Sequence, residues 1–234
     1  MKAVILAGGR GLRLREVVKE VPKPMAPVAG RPFLEYLIRQ LVLWDIKEVV
    51  LSIGYKGEAV SSYFQDGSRW GIRIRYSKED SPLGTGGALK KAAQLIDDEQ
   101  VVVLNGDSFL HANINELISC HKNKRSMATL GLAWVDDIQR YGAVDIDEVG
   151  RIVQFCEKKP GSKGLINGGL YIFSRGFIQS IGQTVASLEK EILPRWLRSG
   201  LYGVVVKDFF VDIGVPQDYI RLCEEPALLL SILN

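Results

Sequence analysis

The sequence has few of the residues that build metal or disulfide frameworks. It contains 3 cysteines and 2 histidines among 234 residues, and the cysteines are widely spaced and form no CxxC pair. This scarcity argues against a structural zinc site and against a disulfide framework. An odd number of isolated cysteines instead predicts a reducing, cytoplasmic setting. These positions are Cys120, Cys156 and Cys223, with His111 and His121.

Long apolar runs and strong charge asymmetry are also missing. The apolar stretch PALLLSIL near the end is far too short to span a bilayer. The opening MKAVILAGG lacks the three regions of a signal peptide, so we expect no leader and no membrane partner. A net charge of +3, without basic runs interleaved with aromatics, gives no support for a nucleic-acid partner.

What the chain does have is an alternation of strand-like and helix-like segments. KAVILA, KEVVLSIG, IRIRY and QVVVLNG read as strands, and PFLEYLIRQLVLW, Glu58 to Phe64 and GGALKKAAQLI read as helices between them. This order predicts right-handed βαβ units and an α/β fold: a mostly parallel, Rossmann-like sheet flanked by helices.

From about Ser126 the pattern changes to closely spaced β segments, which predict antiparallel additions to the sheet. A helix is predicted over SLEKEILPRWLRSG, followed by a strand, the segment FFVDIG and a last helix from about Pro216. We find no linker, repeat or low-complexity tract, so residues 1–234 are expected to form one domain.

A glycine turn follows the first strand. Gly8, Gly9 and Gly11 leave backbone N–H groups free to approach a phosphate closely. The turn is neither a dinucleotide fingerprint, since Leu14 stands where that pattern needs glycine, nor a Walker A loop. Alone it is weak evidence, because such turns are common between a strand and a helix.

A lysine held between prolines strengthens the case for an anion site. Pro22 and Pro24 stiffen the chain around Lys23 and limit where its ammonium can point. Nearby arginines, Arg13 among them, are by themselves equally consistent with a solvated surface. A fixed lysine beside a glycine turn favours phosphate binding.

Two acids follow strands at positions where a parallel sheet presents its ligands. Asp107 ends LNGD and Asp212 lies in FFVDIG. Each is as consistent with a turn or helix cap as with a metal ligand. If the two converge, they would hold Mg²⁺ against a polyphosphate.

Further polar groups complete the candidate set. PLGTGGALKKA has more glycines at a helix start than a cap requires, so Gly84, Thr85, Gly86 and Gly87 are candidates for close contact with a base or ribose. FCEKKP and INGGLYIF place polar side chains on adjacent β segments, where they either face solvent or bind sugar hydroxyls and phosphate. These are Glu157, Lys158, Asn167 and Gly168.

Taken in order, these motifs resemble those of the sugar-1-phosphate nucleotidylyltransferases over nearly the whole chain. AGGRGLRLREVVKEVPKPMAPVAGRP is similar to that family's signature, and PLGTGGAL, LNGD, FCEKKP, INGGLYIF, SLEKEILP and FVDIGVPQDY follow in its order. The set is most similar to guanylyltransferases that act on D-glycero-D-manno-heptose 1-phosphate. Mannose-1-phosphate guanylyltransferases and a uridylyltransferase of N-acetylmuramate 1-phosphate are close alternatives.

The resemblance implies a role for each matching residue. Ala7, Gly8, Gly9 and Gly11 would cradle GTP, Arg13 would contact the triphosphate, and Lys23 would neutralise the reacting phosphates. The predicted helix start at Gly84 to Gly87 would lie against the base and ribose. Asp107 and Asp212 would hold Mg²⁺. The sugar 1-phosphate would be bound by Gly142, Glu157, Lys158, Asn167 and Gly168.

Some questions stay open from the residues alone. The family usually has a hydroxyl residue where this chain has Leu12. Glu79 or Asp80 could pair with the two N–H donors of guanine, or be exposed loop acids. A non-catalytic, nucleotide-sugar-binding regulatory protein of the same fold is an alternative of another class. The family resemblance implies a homodimer.

Overall fold

The computed structural model describes residues 1–156, 162–182 and 185–232. Its strands are β1 (Lys2–Ala7), β2 (Pro27–Val28), β3 (Arg31–Pro32), β4 (Glu48–Ile53), β5 (Arg73–Lys78), β6 (Gln100–Asn105), β7 (Ser108–Leu110), β8 (Ala128–Val135), β9 (Ala143–Ile146), β10 (Ile152–Cys156), β11 (Gly164–Ser174), β12 (Leu201–Val206) and β13 (Phe210–Asp212). Its α-helices are α1 (Phe33–Leu43), α2 (Gly57–Phe64), α3 (Gly84–Ala93), α4 (Ile114–Asn123), α5 (Arg175–Gln179), α6 (Pro216–Glu224) and α7 (Ala227–Ile232).

The main sheet has a parallel core with an antiparallel extension. Strands β6, β1, β4 and β5 lie side by side and parallel, in that order. Strand β11 pairs antiparallel with β6 and β8, and β9 and β10 extend from it, while β12 runs parallel to β8. The predicted fold class is therefore confirmed: a mostly parallel core with β-rich additions from the second half.

The central strands are apolar on both faces because helices cover both sides of the sheet. Along β1, Ala3 and Ile5 pack into one buried cluster and Val4 into a second, and all three are fully buried. Successive side chains of a strand point to opposite faces, which explains the alternation. The sheet thus has a core on each side, and loops at its carboxyl edge are left to form a site.

One predicted helix takes another form. The segment SLEKEILPRWLRSG contains a π-type turn over Leu188–Ile192 and a 3₁₀ turn over Leu193–Trp196, rather than one α-helix. Pro194 has no backbone N–H, so an α-helix through it would lose a hydrogen bond and clash with the preceding turn. The apolar spacing gave no sign of this difference.

A short ribbon brings the end of the chain to the carboxyl end of β6. Strand β13 pairs antiparallel with β7, so that Asp212 lies opposite Ser108. The N–H of Ile213 also donates to the carbonyl of Asp107, at 2.9 Å. Residues over 100 positions apart in the sequence therefore become neighbours. Within the described part of the chain, no helix has the length and apolar character to cross a membrane.

Candidate active site

A cavity of about 540 Å³ opens at the carboxyl ends of the parallel strands. It is lined by loops that follow β1, β4, β5 and β6, together with residues from the start of α3. Lining residues include Ala7, Gly8, Gly9, Arg10, Lys23, Glu79, Gly84, Thr85, Asn105, Asp107 and Glu189. This is the edge at which open parallel sheets bind their ligands.

Lys23 lies between the two predicted metal-binding acids. Its Nζ donates to Oδ2 of Asp107 at 2.5 Å and lies 3.9 Å from Oδ1 of Asp212. The lysine side chain is only 11% exposed, so these interactions are weakly screened by water. Three groups predicted separately from the sequence thus meet at one place, with one positive charge facing two carboxylates.

Backbone geometry holds this lysine from two sides. Lys23 begins a 3₁₀ turn, Lys23–Met25, with Pro22 at its N-cap and Pro24 in its first turn. Gly11 has a φ of +57°, and a Cβ there would lie 2.7 Å from the Cβ of Lys23. A Cβ on Gly214 would overlap the lysine ammonium. A side chain at Gly11 would be strained as well as crowded, whereas one at Gly214 would displace the lysine ammonium from its place beside Asp212.

The environment of Asp212 disfavours its charged form. Burial, followed by the nearby charge of Asp107, raises the pKa of Asp212 to about 6. The Lys23 ammonium, the N–H of Gly214 and the Arg13 guanidinium oppose that rise. A cation beside the two carboxylates would favour ionisation of both, so the donor chemistry fits a divalent metal ion.

The glycine turn packs directly on Glu79. A Cβ on Gly8 would overlap the Glu79 carboxylate, whereas Gly9 has open space around it. Glu79 accepts hydrogen bonds from the hydroxyl of Ser52 at 3.3 Å and from the N–H of Leu83 at 3.1 Å. This acid lines the cavity and also orders the loop leading to α3. Asp80 lines the cavity too, but its side chain is 98% exposed.

The glycines at the start of α3 divide into two groups. Gly84, at a φ of +69°, and Thr85 line the cavity. Gly86 and Gly87 are buried, and the N–H of Gly86 donates to the carbonyl of Ala186 at 2.9 Å. A Cβ on Gly86 would overlap Ile192, so this glycine permits close packing of the helix. A ligand role for Gly86 and Gly87 stays a prediction.

The residues predicted to bind the sugar phosphate are partly outside the described residues. Glu157 and Lys158 fall in the undescribed stretch 157–161. Asn167 and Gly168 lie on β11, beside the carboxyl end of β6, and Gly142 is exposed just before β9. None of these three is among the residues lining the cavity.

Two predictions concern the loop after Gly11. Arg13 is exposed and is not among the cavity-lining residues, although its charge reaches Asp212. Leu12, which replaces the hydroxyl residue expected from the resemblance, is 64% exposed. The triphosphate contact assigned to Arg13 therefore remains a prediction.

Sequence reasoning missed a polar group behind the cavity. Glu189 and Asn105 line the cavity, and Tyr171 is buried beneath them. Glu189 belongs to the motif SLEKEILP and Asn105 to LNGD, so both motifs carried the signal. Neither residue stands out from the sequence alone, because their partners come from distant parts of the chain.

The fold and the cavity together define a class of protein. A parallel sheet with a glycine turn, a fixed lysine and paired acids at its carboxyl edge is an α/β protein of the nucleotide-diphospho-sugar transferase fold. The nucleotidyl transferase family matches residues 2–226, and the chain belongs to that family.

Relatives match nearly the whole length of the chain. It is 40% identical to D-glycero-alpha-D-manno-heptose 1-phosphate guanylyltransferase of Campylobacter jejuni, over 94% of this chain and 97% of that protein. It is 41% identical to the enzyme of the same name from Aneurinibacillus thermoaerophilus, covering 96% and 98% respectively. The crystal structure of HddC from Yersinia pseudotuberculosis, complexed with GMP-PN, superposes with a TM-score of 0.86 at 34% identity, over 96% of this chain and 98% of that one.

Proposed function

We propose that this protein transfers GMP from GTP to D-glycero-α-D-manno-heptose 1-phosphate, giving GDP-heptose and pyrophosphate for surface polysaccharide synthesis. The observation that carries the proposal is the full-length match to two heptose 1-phosphate guanylyltransferases. A cavity with a glycine turn and a largely buried lysine supports a reaction of anionic phosphates.

The reaction needs positioning and charge neutralisation more than proton transfer. A sugar 1-phosphate is already anionic at neutral pH, so its oxygen can attack the α-phosphorus of GTP without a general base. Pyrophosphate then leaves in line, as in other phosphoryl transfers. Lys23 would stabilise the charge on the transferred phosphate, and Arg13 and the N–H groups of Gly8, Gly9 and Gly11 would bind the triphosphate.

Asp107 and Asp212 would hold Mg²⁺. Mg²⁺ is commonly held by one or two carboxylates together with substrate phosphates. Among the described residues, no group of three or more His, Cys, Asp and Glu gathers to form a metal cage, so phosphate oxygens would supply further ligands. When bound, the ion polarises phosphate oxygens and fixes the line of attack.

Glu79 would give the preference for guanine. Its carboxylate is held at the cavity wall by Ser52 and Leu83, and a carboxylate can accept both the N1–H and N2–H of guanine. We expect Glu79→Gln to lower kcat/KM for GTP more than it lowers kcat/KM for the other nucleoside triphosphates. An unchanged order of nucleotide preference would contradict this role.

The sugar 1-phosphate would occupy the side of the site next to β11. Asn167, Gly168 and Gly142 would contact the ring, Glu157 its hydroxyls and Lys158 its phosphate. Heptose and mannose phosphates share the manno ring and differ at the far end, so pocket depth would separate them.

The first test is pyrophosphate release with Mg²⁺. GTP, UTP, dTTP, CTP and ATP are each combined with heptose, mannose, glucose and N-acetylmuramate 1-phosphates. Release with GTP and the heptose phosphate alone is the expected result. Release with another pair would keep the reaction and refute the substrates, whereas no release with any pair would favour the non-catalytic alternative.

A further inference from the structure

Tyr171 is a buried hub behind the cavity. It lies on β11 and is fully buried, and its ring stacks on Phe173 with centroids 5.1 Å apart. Its hydroxyl accepts from Nδ2 of Asn167 at 2.8 Å and from Nδ2 of Asn105 at 3.4 Å. It donates to Oε1 of Glu189 at 3.4 Å.

These three bonds use the whole hydrogen-bonding capacity of the hydroxyl. A phenol has one proton to donate and two lone pairs to accept with. Burial, with the Glu189 charge, raises the pKa of Tyr171 well above its ordinary value, so the proton stays in place. The tyrosine therefore determines which end of each asparagine amide faces it.

The orientation of each amide has consequences at the site. The Oδ1 of Asn167 accepts from the N–H of Gly169 at 3.1 Å, so this amide is held at both ends. With its Nδ2 directed to Tyr171, the buried Oδ1 of Asn105 has no hydrogen-bond partner among the described residues. Asn105 lines the cavity two positions before Asp107.

The network continues to the nucleotide side of the cavity. Oε2 of Glu189 accepts from the hydroxyl of Thr85 at 2.7 Å. The same Thr85 hydroxyl accepts from the N–H of Leu188 at 2.8 Å. A continuous path therefore runs from Thr85, at the start of α3, through Glu189 and Tyr171 to Asn167 on β11.

We propose that Tyr171 is a positioning residue that couples the nucleotide side of the site to the sugar side. It acts through Asn105, Asn167 and Glu189 and contacts neither substrate. The inference rests on the proposed function, since it assumes that Thr85 and Asn167 serve the two substrates of one reaction. Networks of this kind couple their ends, because each bond fixes the geometry of the next.

A double-mutant cycle between Thr85→Val and Asn167→Ala tests the coupling. With Tyr171 present, the double variant should lose kcat/KM by a factor that differs about tenfold from the product of the two single-variant factors. A coupling of this size is usual for residues of one hydrogen-bond network. In Tyr171→Phe, which keeps the ring and its stacking, the two losses should multiply. Tyr171→Phe itself should raise KM for both substrates by about tenfold, because it removes the hydroxyl that holds Asn105, Asn167 and Glu189.

Tyr202→Phe is the matched control. Tyr202 lies on β12, and its hydroxyl accepts a hydrogen bond from the Arg151 guanidinium at 3.5 Å. It is not among the cavity-lining residues. It should leave both KM values and the cycle unchanged. Equal changes in KM in Tyr171→Phe and Tyr202→Phe would overturn the proposal. So would single losses that simply multiply in the wild type, or a coupling that Tyr171→Phe leaves unchanged.

Two further outcomes are separable. If Tyr171→Phe does not fold, Glu189→Ala cuts the same path at its part-exposed end and should make the two losses multiply. Persistence of the coupling in that variant would overturn the proposal. If the wild type uses a different triphosphate and sugar phosphate, only the proposed substrates fail, and the cycle is measured with that pair.

Discussion

At the scale of single residues, the site depends on one lysine beside two carboxylates. Lys23 bonds to Asp107 and lies near Asp212, so the three groups leave one negative charge when both acids are ionised. Asp212 is the more buried of the two, with its side chain 20% exposed against 40% for Asp107. The two acids should therefore respond differently to substitution.

Asp107→Ala should remove turnover and leave the fold intact. We expect kcat to fall on the order of 10²-fold or more, as when one preorganised electrostatic partner is deleted. Stability should change little, because loss of the ion pair with Lys23 is offset by loss of the repulsion between Asp107 and Asp212. Pyrophosphate release and thermal unfolding measure the two effects.

Asp97→Ala is the matched control, since Asp97 also pairs with a lysine, Lys2, at 2.8 Å, but at an exposed position outside the cavity. It should leave kcat unchanged. A near-normal rate in Asp107→Ala would refute its assignment as a metal ligand.

Asp212→Asn should stabilise the metal-free protein at neutral pH while lowering activity. The pKa of Asp212 is about 6 in the folded chain against an ordinary 3.8, so the folded state holds the proton more tightly than the unfolded state. Stability from this group is therefore lost as pH rises from about 4 to about 6. Asparagine does not titrate and so avoids this loss. At pH 7 the free energy of unfolding of Asp212→Asn should exceed that of the wild type by about 1 to 3 kcal/mol.

The measurement is denaturant unfolding of both forms in EDTA from pH 4 to 8. Their free energies of unfolding should converge near pH 4. A constant difference across that range would contradict the raised pKa. Adding Mg²⁺ should narrow the difference at pH 7, because a cation favours the ionised carboxylate that only the wild type has.

Individual residues were predictable where a strand order fixes their place. Lys23 and Asp107 follow β1 and β6, and parallel neighbours bring such turns together. Tyr171 was not predictable in this way. Its partners Asn105 and Glu189 lie 66 and 18 residues away, and no local pattern reports that pairing.

At the scale of elements, two short pieces do more for the site than their length suggests. The ribbon of β7 and β13 places Asp212 beside Asp107. The turn Leu188–Ile192 places Glu189 against the start of α3. The long strands of the main sheet and helices α1, α2, α3 and α6 could be predicted from hydrophobic periodicity, whereas the short strands β2, β3, β7 and β13 and helices α4 and α5 were not predicted. The turn Leu188–Ile192 could not be predicted either, because its form follows from Pro194 and from packing against Gly86.

Docking of α4 on β8 should weaken in acid. His121 on α4 is 2% exposed, its Nδ1 lies 3.0 Å from the Thr129 hydroxyl of β8, and burial lowers its pKa to about 4. The unfolded chain binds that proton near the ordinary 6.5, so stability present above pH 6.5 is lost as pH falls towards 4.

Between pH 7 and 5 the loss from this one group should be about 2 kcal/mol. His121→Gln keeps a partner for Thr129 but does not titrate. The wild type should therefore lose more stability than this variant over that interval, as measured by denaturant unfolding. Parallel pH profiles for the two proteins would contradict the prediction.

At the scale of the whole molecule, the sheet separates two buried clusters and leaves the cavity at its carboxyl edge. The order of motifs along the chain was enough to predict this architecture, since parallel βαβ units allow few arrangements. One domain over residues 1–234, a cytoplasmic location and a homodimer stay predictions, because none of them follows from the contacts of one chain.

Binding of GTP with Mg²⁺ should stabilise the molecule as a whole. At a GTP concentration 100 times its Kd, the expected gain is about 2.7 kcal/mol, which corresponds to a rise in Tm of about 5 to 10 °C. Differential scanning calorimetry with and without EDTA measures it. An equal rise in EDTA would show that nucleotide binding does not need the metal.

The two glycines beside Lys23 join the N-terminal segment and the end of the chain into one unit of variation. A side chain at Gly11 or Gly214 would meet the Lys23 side chain, so substitutions at these positions affect one another. In a library of random variants selected for activity, substitutions at these three sites should be rare singly. A chain that lost the lysine would keep part of the constraint at both glycines, because Gly11 has a φ of +57° and a Cβ on Gly214 would still meet the Asp212 carboxylate. The two glycines should therefore outlast the lysine in descendants that no longer catalyse the reaction.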